Sequence, residues 1–225
     1  RALLAHGYPG AISAIAAAPI ASLRLVEGAV YMQKLVVDVE VADRLVPECL
    51  DAPVAWTLAL IARALDKQVG NLTVFVLDRP RHADLIREVR ATGAHVMLRA
   101  EGDVTGVLLA ATRQSGVDAL IGTGGFLEGM ISACAIKALG GAMLGRIAPQ
   151  SERELRAVQD SEADPTRIMT QDEWITADQV FFAATGITDG PVLSGIDYRG
   201  SQTMCHSIIL RGETGTRRTI QTEHR

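Results

Sequence analysis

From residue 72 onward, short continuous apolar runs alternate with segments of helical period, and this alternation limits the folds open to the chain. Residues 72–77, 95–98, 117–121, 143–147 and 179–184 read as strands. Residues 83–90, 104–113 and 127–139 read as helices between them, the first with Leu85, Ile86 and Val89 on one face. Strands that are apolar on both faces need cover on both sides. The pattern therefore predicts an α/β fold with a largely parallel sheet enclosed by helices.

The first part of the chain has a different texture. Residues 11–18 form an apolar run closed by Pro19, and 29–37 is rich in Val, Tyr and Leu, so both read as strands. Val54, Leu58, Ile61 and Leu65 recur at helical spacing, which predicts one helix over 47–65 with Pro47 near its first turn. Residues 150–171 are polar and charged and read as a solvated helix and loop. At the end, 205–210 and 217–222 flank the Gly212-Glu213-Thr214-Gly215 turn as a β-hairpin. This hairpin is expected to join the two early strands in a second, antiparallel or mixed sheet. That divides the chain into a sheet unit (1–45), an α/β unit (46–190) and the C-terminal hairpin (191–225).

Composition excludes some functions. The net charge is −4 and no basic stripe stands out, so nothing points to nucleic acid. No apolar run reaches the ~20 residues of a membrane span. Cys49, Cys134 and Cys205 are far apart and lack metal-finger spacing, which predicts buried reduced thiols and a cytoplasmic protein. Residues 1–10 do not have the order of a leader peptide.

Chemistry concentrates where strands give way to helices, because ligands of parallel α/β sheets bind there. Asp78-Arg79-Pro80-Arg81-His82 follows one strand. Two arginines and a histidine at a helix mouth suit a phosphate, although a solvated turn would look the same. Glu101-Gly102-Asp103 follows the next. Asp103 could cap the helix, accept hydrogen bonds from sugar hydroxyls, or do both. The third is Gly122-Thr123-Gly124-Gly125-Phe126-Leu127-Glu128-Gly129, a glycine-rich turn into a helix. Glu128 in that first turn is either paired with the helix dipole or a ligand for a hard metal ion. Tyr31 reads as core or as a pocket hydroxyl, and Lys34 as a solvated edge charge. His6, His95, His206 and His224 lack zinc-like spacing and read as structural.

Together these segments resemble class II fructose-1,6-bisphosphatase, of the lithium-sensitive sugar-phosphatase group. The likeness runs through Tyr31-Met32-Gln33-Lys34-Leu35, the arginine segment, Gly102-Asp103-Val104, Gly124-Gly125 with Glu128-Gly129, and Gly140-Gly141. It continues through Phe182-Ala183-Ala184-Thr185-Gly186-Ile187-Thr188-Asp189-Gly190 and the closing hairpin. The resemblance implies a layered sandwich and hydrolysis of the 1-phosphate of fructose 1,6-bisphosphate to fructose 6-phosphate in gluconeogenesis, with Mn²⁺ or Mg²⁺ as cofactor. In the family, the residue matching Glu128 is a metal ligand. Those matching Tyr31, Arg79, Pro80, Arg81, Glu101, Gly102, Asp103 and Gly125 contact substrate. A homo-oligomer that binds a small sugar bisphosphate, and neither nucleic acid nor membrane, is expected.

Some positions depart from the family pattern. Phe126 and Leu127 stand where Ala-Pro is usual, and Phe126 is expected to narrow or reshape the pocket. Glu101 replaces a usual Asp and sets its carboxylate about one methylene further out. The family's Gly-Glu-Gly segment and D-P-[ID]-[DE]-G-T motif, which supply most metal carboxylates, do not occur here, and Arg1 matches the residue just after that motif. The catalytic groups are thus expected upstream of Arg1, and these residues alone are expected to be inactive, since Glu128 cannot hold the ion by itself. Two other readings stay open: a non-catalytic sugar-phosphate-binding module, and a related phosphatase for sedoheptulose 1,7-bisphosphate or an inositol phosphate.

Overall fold

The computed structural model describes residues 2–225; Arg1, which the resemblance sets beside the metal motif, lies outside them. The apolar runs pair into two sheets. One holds six strands: β2 (Tyr31–Val37), β3 (Thr73–Leu77), β4 (His95–Arg99), β5 (Ala119–Gly125), β6 (Ala142–Ile147) and β7 (Met169–Thr170). The other holds β1 (Ile12–Ala17), β8 (Phe181–Gly186), β10 (Gln202–Arg211) and β11 (Thr216–His224), with β9 (Asp197–Arg199) on β10.

The six-stranded sheet has the order β4-β3-β5-β2-β6-β7 and is mixed. Only β3 with β4 and β3 with β5 pair in parallel, so the expected largely parallel sheet is not found. The reason is β2, which lies between β5 and β6 and runs antiparallel to both. Strand–helix alternation reported the common direction of β3, β4, β5 and β6, but it could not show that an earlier strand separates two of them.

β2 is buried because both its faces are apolar: Met32 and Val36 point to one core, Leu35 and Val37 to the other. Contrary to the expectation that both early strands join the hairpin sheet, β2 does not; among the early strands only β1 does, antiparallel to β8. β8, the last of the alternating runs, also lies in that second sheet.

After the short α1 (Ala2–Ala5) and α2 (Val39–Ala42), helices fill the spaces between. α3 (Val54–Ala64) and α4 (Ala83–Ala91) cover one face of the mixed sheet through Leu58, Ile61, Ile86 and Val89. α5 (Asp103–Ala110) and α6 (Phe126–Leu139) cover the other. α6 also packs on β1, β8 and β10, so it is sandwiched between the sheets. Its near-continuous run of buried Ala, Cys, Ile and Met follows from that: a helix enclosed on all sides has no polar face.

The expected helix over 47–65 is broken in two. A 3₁₀ turn at Pro47–Leu50 precedes α3, which starts after Pro53, a residue without an N–H and poorly tolerated in a helix interior. The Thr57 hydroxyl donates to the Cys49 carbonyl at 2.9 Å and joins the pieces. The polar segment forms α7 (Glu152–Asp160), capped by Ser151, which accepts from the Glu154 N–H. Cys49 and Cys134 are buried thiols and Cys205 is half-buried. Among the described residues no helix is long and apolar enough to cross a membrane.

Candidate active site

The ends of β3 and β5, the start of α5 and the start of α6 meet around a cavity of about 540 Å³. Tyr31, Arg79, Arg81, Glu101, Gly102, Asp103, Gly125 and Glu128 line it, together with Leu3, Gly10 and Thr105. Eight of the nine residues picked from the sequence are thus brought together. The ninth, Pro80, is outside the lining; it opens the 3₁₀ turn Pro80–His82 and holds Arg79 in the extended conformation that precedes a proline.

The two arginines are fixed differently. Arg79 is ion-paired with Glu101. Arg81 donates from Nε and Nη2 to the Thr123 carbonyl at 3.2 and 2.8 Å, and its guanidinium lies 5.1 Å from the centre of the Tyr31 ring. A guanidinium held by a forked hydrogen bond and an aromatic face is oriented before any ligand arrives. His82, grouped with the arginines from sequence, is not at the mouth. It is buried, and its ring is spent between two backbone groups, the Leu77 carbonyl and the Thr123 N–H.

Gly102 has φ +100° and is itself the N-cap of α5, a conformation that glycine adopts without penalty. Asp103 consequently does not cap the helix. Its Oδ2 lies 2.6 Å from Lys34 Nζ. Lys34, which reads from sequence as a solvated edge charge, is completely buried on β2, the central antiparallel strand. Removing one partner of such a pair strands the other, at about 3–5 kcal/mol.

The glycine-rich segment is strand, not turn. Gly122–Gly125 continue β5 and pair with Lys34 back to Tyr31. Their missing side chains leave room for the site: a Cβ on Gly124 would stand 2.3 Å from Asp103 Oδ2, and one on Gly125 2.0 Å from Glu128 Oε2. Phe126 does not reshape the cavity. It is buried in the core and packs edge-on against Trp174, with ring centres 5.6 Å apart.

Glu128 sits in the first turn of α6, where the dipole favours a carboxylate. Among the described residues no group of three or more His, Cys, Asp and Glu side chains is placed to hold a metal ion. A hard divalent ion needs about six oxygen ligands, so the residues present do not fit one. Sequence reasoning missed Lys34 and Thr105. Lys34 was detectable as a single cation among Met32, Leu35, Val36 and Val37. Thr105, whose buried hydroxyl has no partner among the described residues, gave no sequence signal. A groove of about 620 Å³ along α3, with Arg44, Trp56 and Arg63, is larger but collects none of these residues.

Oriented guanidinium groups beside carboxylates at the strand ends of an α/β protein suit an anionic, hydroxylated ligand. Residues 1–224 match the family model described as bacterial fructose-1,6-bisphosphatase, glpX-encoded, and the chain belongs to this family of phosphoric monoester hydrolases. It is 33% identical over 235 residues to a D-fructose 1,6-bisphosphatase class 2/sedoheptulose 1,7-bisphosphatase of Synechococcus sp. (strain JA-3-3Ab), covering 99% of this chain and 67% of the relative. It is 34% identical over 235 residues to a fructose-1,6-bisphosphatase class 2 of Haemophilus influenzae, covering 99% of this chain and 69% of the relative.

Proposed function

We propose that the protein carrying this chain is a phosphatase of sugar bisphosphates, removing the 1-phosphate of fructose 1,6-bisphosphate to give fructose 6-phosphate. The observation that carries the reading is the convergence of Arg79, Arg81, Glu101, Asp103 and Tyr31 on one cavity in a chain of this family. The arginines bind the phosphate that is kept, as forked donors to its oxygens. Asp103 and Glu101 accept from sugar hydroxyls. Arg81, already held by Thr123 and Tyr31, loses little freedom when it binds, which favours affinity.

Glu128 is proposed as one ligand of a Mn²⁺ or Mg²⁺ ion whose other ligands the described residues do not supply. The 225 residues by themselves should therefore bind the sugar bisphosphate and release no phosphate. Calorimetry with fructose 1,6-bisphosphate and an orthophosphate assay on the same protein test both halves. Absence of binding refutes the assignment of the cavity; release by these residues alone refutes the account of the metal. Sedoheptulose 1,7-bisphosphate is the second reading, because the Synechococcus relative is named for both sugars. Tighter binding of that sugar in the same titration would put it first.

A further inference from the structure

We infer that Lys34 is a positioning residue: it holds one oxygen of Asp103 from below, so that the other meets the sugar's hydroxyls, and this gives the cavity its preference for a hydroxylated bisphosphate. The inference rests on the sugar-bisphosphate reading and adds to it a residue that does not itself touch the ligand.

Lys34 has no solvent-exposed surface, so it acts only through what it contacts. Its ammonium lies 2.6 Å from Asp103 Oδ2, and the Asp103 side chain is 12% exposed, on the cavity side. Only Oδ2 is engaged among the described residues; Oδ1 is the oxygen left for a ligand. The arginines do not balance this carboxylate, since Arg79 pairs with Glu101 and Arg81 with the Thr123 carbonyl. Its counter-charge comes from beneath the floor, through the slot at Gly124, where a Cβ would be 2.3 Å from Oδ2 and 2.8 Å from Lys34 Nζ. A neutralised carboxylate can stand beside a phosphate-bearing ligand without repelling it, and an acceptor with no proton of its own selects for a donor hydroxyl.

The test compares fructose 1,6-bisphosphate with hexane-1,6-diol bisphosphate, which carries two phosphates and no free hydroxyl, by calorimetry on the 225-residue chain. The wild type should prefer the sugar by about tenfold or more, the worth of one hydrogen bond to a charged acceptor. Lys34→Met and Asp103→Asn should each remove most of that preference, and the double variant should lose no more, because both act through one contact. In each variant the affinity for the diol bisphosphate should change far less than that for the sugar, which a general loss of structure would not allow. If Lys34→Met keeps the preference, or loses affinity for both ligands alike, the inference is overturned while the site reading stands. If the wild type binds neither ligand, or both equally, the site reading falls and the inference with it. Should Lys34→Met fail to fold, Lys34→Gln, neutral and shorter but still polar in the slot, decides by the same comparison: a retained preference overturns the inference, and a lost one supports it.

Discussion

His82 joins β3 to β5 through Thr123: its Nε2 accepts the Thr123 N–H at 2.8 Å, while Nδ1–H donates to the Leu77 carbonyl at 2.8 Å. A backbone N–H can only donate, so the ring must present a bare Nε2 there and is neutral. Burial of the ring, 3% exposed, holds its pKa below the usual 6.5, against a smaller upward pull from the Leu77 carbonyl. The link fixes Thr123, whose carbonyl in turn holds Arg81.

This makes stability pH-dependent in a defined direction. With its folded pKa below its unfolded one, His82 binds more protons when the chain is unfolded. Its contribution is fully present above about pH 6.5 and is lost as the pH falls toward and through the folded value. Thermal melts from about pH 8 to about pH 5 should show the wild type's advantage over His82→Gln shrinking as the solution is acidified. A constant advantage would mean that the ring titrates alike in both states.

Gly106→Ala should destabilise the fold. A Cβ there would lie 2.4 Å from Cε1 of Phe75, a ring 1% exposed with no room to withdraw. Alanine improves helix propensity by about 1 kcal/mol, but overpacking typically costs about 1–3 kcal/mol. A lower denaturant midpoint at unchanged slope is expected; a midpoint equal to wild type would show that α5 can shift on β3.

Arg81→Lys keeps the charge and loses both the fork on Thr123 and the contact with the Tyr31 face. Affinity for fructose 1,6-bisphosphate should fall about tenfold, with little change in melting temperature because the side chain is exposed. Undiminished affinity in a titration of this variant would show that orientation of the guanidinium contributes nothing.

Glu128 and Phe126 separate by assay. Binding of Mn²⁺ to the 225 residues, followed by electron paramagnetic resonance, should be on the order of millimolar or weaker and should disappear in Glu128→Gln. Tight binding that survives the substitution would place the ion elsewhere. Phe126→Ala should cost about 3–5 kcal/mol of stability yet leave the order of preferred sugars unchanged in a binding panel. A changed order would put this residue back in the pocket.

Much of the molecule was legible because its strands are apolar along their whole length. β3, β4, α4 and the hairpin of β10 and β11 lie within a few residues of where periodicity sets them. Pro53 was a visible break that the recurrence of Val54, Leu58 and Ile61 concealed. Other features depend on contacts distant in sequence. Gly122, Gly124 and Gly125 have little strand propensity of their own and are strand because Tyr31–Lys34 run beside them. Phe126 follows the glycines directly, yet the first turn of α6 sends its ring into the core. The residues that line the cavity were picked out by type and order, whereas the buried ammonium under Asp103 needed the sheet order to be known.

The place of β2 between β5 and β6 has a consequence for biosynthesis. This doubly apolar strand leaves the ribosome long before either neighbour exists, and at about 5–20 residues per second the wait lasts several seconds. During that interval both its edges are open to pairing with other chains. Chaperone dependence of the nascent protein should therefore concentrate on Tyr31–Val37 and end once β6 has emerged.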